Sequence, residues 1–119
     1  MFGIPSGTKI FLYGKPCDMR KGFDGLSGLV QNEMSLNPTC GYLFVFFNSP
    51  RTHVKILYWD RDGFAIYYKR LEKGNFKRPT SHVNAPNSQL LTEELYMILH
   101  GIDFEKSKKR KRYLSNNSS

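Results

Sequence analysis

Residues 55–70 read KILYWDRDGFAIYYKR and set two aspartates, Asp60 and Asp62, two positions apart between aromatic, half-apolar runs. A metal-dependent phosphoryl-transfer site needs two or more carboxylates converging on one or two cations, usually from separate elements. Asp18 and Asp24 are the acids that could join this pair to make a nuclease. Turn chemistry accounts for the same residues without a metal. Asp suits the first corner of a turn because its side chain accepts from backbone two residues on, and Gly63 would supply the positive φ of a bulge-type hairpin. The spacing therefore predicts a hairpin corner, with the nuclease as the weaker reading.

His53, His82 and His100 have no Ser, Cys or carboxylate at motif spacing, so triads and metal clusters lack local support. Cys17 and Cys40 lack the close spacing and histidine partners of a zinc site and read as two free thiols, one disulfide being possible on paper. Gly22, Gly25 and Gly28 are not followed by the Gly-Lys-Ser/Thr ending of a phosphate loop. No catalytic residue, metal ligand or cofactor is expected.

Charge points elsewhere. The net charge is +8, and six of the 18 basic residues, Lys106, Lys108, Lys109, Arg110, Lys111 and Arg112, fall in one run that ends the chain with SNNSS. The rest is nearly balanced, twelve basic residues against ten acidic ones. A run without an apolar face stays solvated and suits either a phosphate-binding arm or a solubilising tail. Met19-Arg20-Lys21 falls near a helix start, where free N–H groups already favour phosphate. Lys55, Tyr58, Trp59, Tyr67, Tyr68, Lys69 and Arg70 interleave bases with aromatics, a pattern that can hold nucleic-acid bases and backbone. Core packing with lysines snorkelling around it is the favoured reading for most of these aromatics, because the charge outside the basic run is nearly balanced. The candidate nucleic-acid contacts are Arg20, Lys21, Lys69, Arg70, Lys108, Lys109, Arg110, Lys111 and Arg112.

These residues need a scaffold, and 119 residues with 39% hydrophobic content suffice for one domain, taken as 1–105, followed by a basic tail at 106–119. Ile10, Phe11, Leu12 and Tyr13 read as a strand closed by Gly14-Lys15-Pro16. Met19, Phe23, Leu26 and Val30 recur as one face of a helix with Asp18 as N-cap, stopped by Asn37-Pro38. Its three glycines each cost roughly 0.5–1 kcal/mol against Ala, which predicts a close approach of backbone or ligand there. Strands at 42–47, 54–59 and 64–69 form an antiparallel meander, apolar enough on both sides to be partly covered on both faces. Short strands are expected at 75–77 and 81–83. A helix at about 93–100, with Thr92 as N-cap and Gly101 as stop, presents Leu95, Ile98, Leu99 and Ile102 to the sheet. The expected fold is α+β: an antiparallel sheet, β-meander plus N-terminal strand, packed with two helices. No apolar run approaches the roughly 20 residues of a membrane span, and the start is broken by Gly, Pro and Lys before a signal-peptide core could form, so a cytoplasmic protein without a membrane partner is expected.

Three segments, LYGKPCDMRKGFDGLSGLV, GYLFVFFNSPRTHVKILYWDRDGFAIYYKRLEKGNF and LLTEELYMILHGIDF, occur in this order between Phe2 and Phe104. Together they resemble the TnpB accessory family, encoded by the second open reading frame of bacterial insertion sequences of the sixty-six family. DMRKGFDGL, the LFVF strand, the WD-D-G turn and YKRLE-G-F carry the resemblance. Cys17, Arg61, Arg78 and Phe104 depart from it; Arg61 stands where Gly is frequent. The resemblance implies a non-enzymatic role in DNA transposition beside a separate transposase whose acidic triad cuts and joins DNA. Transposon DNA and the transposase are the partners it suggests, with a protein-interaction module that ignores DNA as the alternative.

Overall fold

The computed structural model describes residues 3–77 and 87–101. Within them the chain forms β1 (Ile10–Tyr13), α1 (Phe23–Asn32), β2 (Leu43–Phe47), β3 (His53–Asp60), β4 (Gly63–Arg70), β5 (Asn87–Leu90) and α2 (Thr92–Leu99). One sheet holds the strands in the order β4-β3-β2-β1-β5. The meander β2-β3-β4 is antiparallel as the sequence pattern predicts. β1 departs from the expected antiparallel sheet, because it runs parallel to β2 and antiparallel to β5. Parallel neighbours need a long crossover, and the segment carrying α1 provides it.

Side-chain alternation divides the sheet into two apolar faces. Ile10, Leu12, Leu43, Val45, Val54 and Ile56 pack with Leu95, Ile98 and Leu99 of α2. Tyr13, Phe44, Phe46 and Leu57 pack with Leu26 and Val30 of α1. A strand such as LFVFF, apolar at every position, is therefore satisfied on both sides, and the architecture is the expected α+β with a helix over each face.

Several local expectations are corrected. Asp18 does not cap α1. The helix begins at Phe23 with Gly22 as its N-cap and no side-chain cap, while the Asp18 carboxylate accepts from the Arg20 backbone N–H at 2.9 Å and is spent on a turn ahead of the helix. Phe23 is half exposed rather than part of the buried stripe, which Leu26 and Val30 carry. No backbone makes the expected close approach at the glycines: a Cβ at Gly25 would meet only the Lys21 stem, and positions 22 and 28 have open room. α2 starts one residue early, with Leu91 rather than Thr92 as N-cap, because the Glu94 carboxylate reaches back to the Leu91 N–H at 2.9 Å. Gly101 stops it in the left-handed region at φ 73°. Residues 75–77 form no strand: the Phe76 N–H donates to the Arg51 carbonyl at 2.7 Å and its ring is buried against Phe47. Cys17 is buried and Cys40 exposed, both free thiols. The expected strand at 81–83, His82, Arg78, Ile102, Phe104 and the run from Lys106 to Arg112 lie outside the described residues.

Candidate nucleic-acid interface

The opening aspartates sit at the corner they predict. Asp60 pairs with Gly63 across β3 and β4, and the Asp62 N–H donates to the Asp60 carbonyl at 2.6 Å. The left-handed residue is Arg61 at φ 59°, not Gly63, which has joined the strand. Two residues must reverse a right-twisted ladder, so positive φ falls at the first of them. Asp60 and Asp62 are exposed, and among the described residues no three His, Cys, Asp or Glu side chains come together as metal ligands. Asp18 and Asp24 thus do not complete the carboxylate cluster that a nuclease needs.

Lys55 organises a different place. It lies mid-strand in β3, 8% exposed, on the α1 face. An ammonium taken from water must be paired or hydrogen-bonded to remain charged. Lys55 Nζ donates to the carbonyls of Met19 at 2.7 Å and Lys21 at 2.8 Å, and lies 4.7 Å from the centre of the Tyr68 ring. The loop carrying Arg20 and Lys21 into the N-terminus of α1 is thereby tied to the sheet beside Tyr68. Tyr68 pairs across the strands with Lys55 and is half exposed, with the His53 ring 5.9 Å away. Arg70, opposite His53 in the ladder, follows on the same face. His53, Tyr68, Arg70 and Glu72 line an open depression of about 350 Å³.

Two surface ion pairs flank this patch. Arg20 forks onto Asp18, Nη2 to Oδ2 at 2.6 Å and Nε to the same oxygen at 3.0 Å. The Arg20 side chain and then its backbone N–H hold the Asp18 carboxyl down at about 2. Arg70 Nη2 meets Glu72 at 2.8 Å. Exposed pairs of this kind are worth about 0–1 kcal/mol, so each guanidinium can exchange its carboxylate for another anion at small cost.

Of the candidates read from sequence, Arg20, Lys21 and Arg70 come to one face of the molecule. Lys69 does not join them. Neighbouring residues of a strand point to opposite faces, and Lys69 Nζ donates to the Leu99 carbonyl at 2.8 Å, closing the C-terminal end of α2. Lys108, Lys109, Arg110, Lys111 and Arg112 lie outside the described residues. Tyr68 stood among the interleaved aromatics but not among the candidate contacts, and His53 and the anchoring role of Lys55 were missed. A lysine inside the otherwise apolar run HVKILYW was the available signal, since an interior strand position holds a charge only where a partner waits.

A second polar group sits where the parallel strands end. Lys15 Nζ meets Glu33 at 3.3 Å, and burial, followed by the hydrogen bond to Glu33, pushes the Tyr13 hydroxyl up to about 12. This group ties the end of β1 to the end of α1 beside a pocket of about 90 Å³ lined by Gly14, Lys15, Asn48 and Arg51 among others.

Comparison with known proteins gives one consistent result. A family model described as IS66 Orf2 like protein matches residues 8–109. Two curated relatives come from Sinorhizobium fredii (strain NBRC 101917 / NGR234). Uncharacterized protein y4jC is 31% identical over 110 residues, spanning 92% of either chain. Uncharacterized protein y4hO is 33% identical over 103 residues, 85% of this chain and 88% of the relative. No solved structure matches.

Proposed function

The chain belongs to the IS66 Orf2-like family of insertion-sequence accessory proteins, and from that premise we propose that it is a non-enzymatic factor that holds transposon DNA by its phosphates during transposition. The observation that carries this reading is the grip of Lys55 on the Met19 and Lys21 carbonyls, which sets Arg20 and Lys21 at a helix N-terminus next to the exposed Tyr68 ring and Arg70. Fixed cations and backbone N–H groups take phosphate, and an aromatic face can take a base. The basic run from Lys108 to Arg112 adds a sequence-independent arm. Action in the bacterial cytoplasm goes with this role.

Anisotropy titration of labelled transposon-end DNA tests it. Affinity should fall steeply between about 50 and 200 mM salt, and the log–log slope should lose about 0.9 for each phosphate contact removed by Arg20→Ala, Lys21→Ala or Arg70→Ala. Removing residues 106–119 should flatten it further. Absence of binding at low salt overturns the DNA reading. The near-balance of charge outside the tail and the exposure of Phe23 and Leu91 favour a second reading, an interaction module for the transposase of the same element. Co-purification with that transposase, lost on Phe23→Ser, is its test.

A further inference from the structure

The sheet ends differently on its two sides. β5 closes one edge with four residues, whereas β4 forms the other with eight and pairs, among the described residues, on one side only. The Leu71 N–H donates to the Thr52 carbonyl opposite it at 2.8 Å, and the Asn48 N–H to the carbonyl of His53 at 3.3 Å. Alternation from these bonds directs the backbone of Ala65, Tyr67 and Lys69 inward to β3, and that of Phe64, Ile66, Tyr68 and Arg70 outward. From Gly63 to Tyr68 this edge carries no charge and no proline, the devices that normally keep a strand edge from pairing.

We propose that β4 is a dimerisation edge, pairing antiparallel with β4 of a second copy of this chain to make one continuous sheet across a two-fold axis. Register follows from which groups face out. Only outward residues can exchange bonds, and the register that uses all four sets Phe64 opposite Arg70 and Ile66 opposite Tyr68, with Tyr67 facing its own twin at the axis. The side chains suit it: β-branched Ile66 meets aromatic Tyr68, and Arg70 of each copy comes diagonally next to Asp62 of the other. Antiparallel apposition brings Arg70 beside Asp62 of the other copy, although it also sets Asp62 opposite Glu72 just past the strand end, whereas an in-register parallel one would set Arg70 beside Arg70. The inference does not rest on DNA binding, and its test contains no DNA.

Sedimentation equilibrium of the full chain should show a dimer. Ile66→Pro removes an outward N–H and no bond to β3, and Tyr67→Glu sets two carboxylates face to face at the axis. Each should raise the dissociation constant at least about tenfold while the circular dichroism spectrum stays folded. Register is read directly in a Cys40→Ser background. Opposed residues of a non-hydrogen-bonded pair stand about 4.5 Å apart at Cα, within disulfide reach. Tyr67→Cys should therefore oxidise to a crosslinked dimer and Ala65→Cys should not. A monomeric full chain, a dimer indifferent to both edge variants, or crosslinking at position 65 in place of 67 would each overturn the proposal.

Discussion

Lys55 shows how a single side chain converts a sheet surface into a positioned loop. Its ammonium answers two carbonyls ahead of α1, and the loop carrying Arg20 and Lys21 is fixed to the sheet as a result. Asp18 serves the same loop from outside. Its folded value of about 2 lies below the unfolded 3.8, so its contribution is present above pH about 4 and is lost as pH falls toward 2. The urea midpoint of the wild type should drop over that window, and Asp18→Asn should remove this part of the acid limb. Arg61 carries the opposite kind of local term, since left-handed backbone costs a residue with a Cβ roughly 1 kcal/mol. Arg61→Gly should stabilise the protein by about 0.5–1 kcal/mol in urea unfolding, part of the relief being offset by the freer unfolded chain. The resemblance had marked this position as one where Gly is frequent, and the turn geometry gives the reason.

At the scale of elements, the two helices are held by different means. α1 has neither a side-chain N-cap nor a basic residue in its last turn, so it depends on Leu26 and Val30 against the sheet and on Lys55 at its entry. Gly28 weakens it without evident need, because a Cβ there meets nothing nearer than Asn32 Nδ2 at 4.0 Å. Gly28→Ala should raise stability by about 0.5–1 kcal/mol, read as a shift in the thermal midpoint. Gly25→Ala should give less, with its Cβ 3.1 Å from that of Lys21. α2 is only eight residues long and leans on Glu94, Lys69 and Gly101 at its ends. The 3.6-residue period located both helices to within a few residues. Their caps were less legible, because Asp18 and Thr92 are good capping residues by type and lost that role to a neighbouring turn and to Glu94.

For the molecule as a whole, the two-sided sheet means that adjacent residues of one strand serve different cores. Ile56 lies with α2 and Leu57 with α1, and both are fully buried. Ile56→Ala and Leu57→Ala should each cost about 2–4 kcal/mol in urea unfolding. A sheet with one solvated face would lose that much at one of the pair and little at the other. Charge is distributed at this scale too: on the proposed DNA-binding reading, the near-neutral body would leave specific contacts to a few fixed cations and the basic run would supply the long-range attraction.

The sequence by itself determined the strand meander, the two helices, the corner at Asp60 to Gly63 and the family, because these rest on local propensity, residue period and short-range turn chemistry. Only the tertiary structure decided that β1 lies parallel beside β2, that Lys69 faces away from Arg70 to close α2, and that Arg20, Lys21, Tyr68 and Arg70 share a face. Each depends on which distant segments meet: Lys55 reaches carbonyls 34 and 36 positions away, and Lys69 one 30 positions away. The same holds for the aspartates of YWDRDGF. Local chemistry named their turn, but whether Asp18 or Asp24 would join them in a metal-binding group was a question of packing, and among the described residues no such group forms.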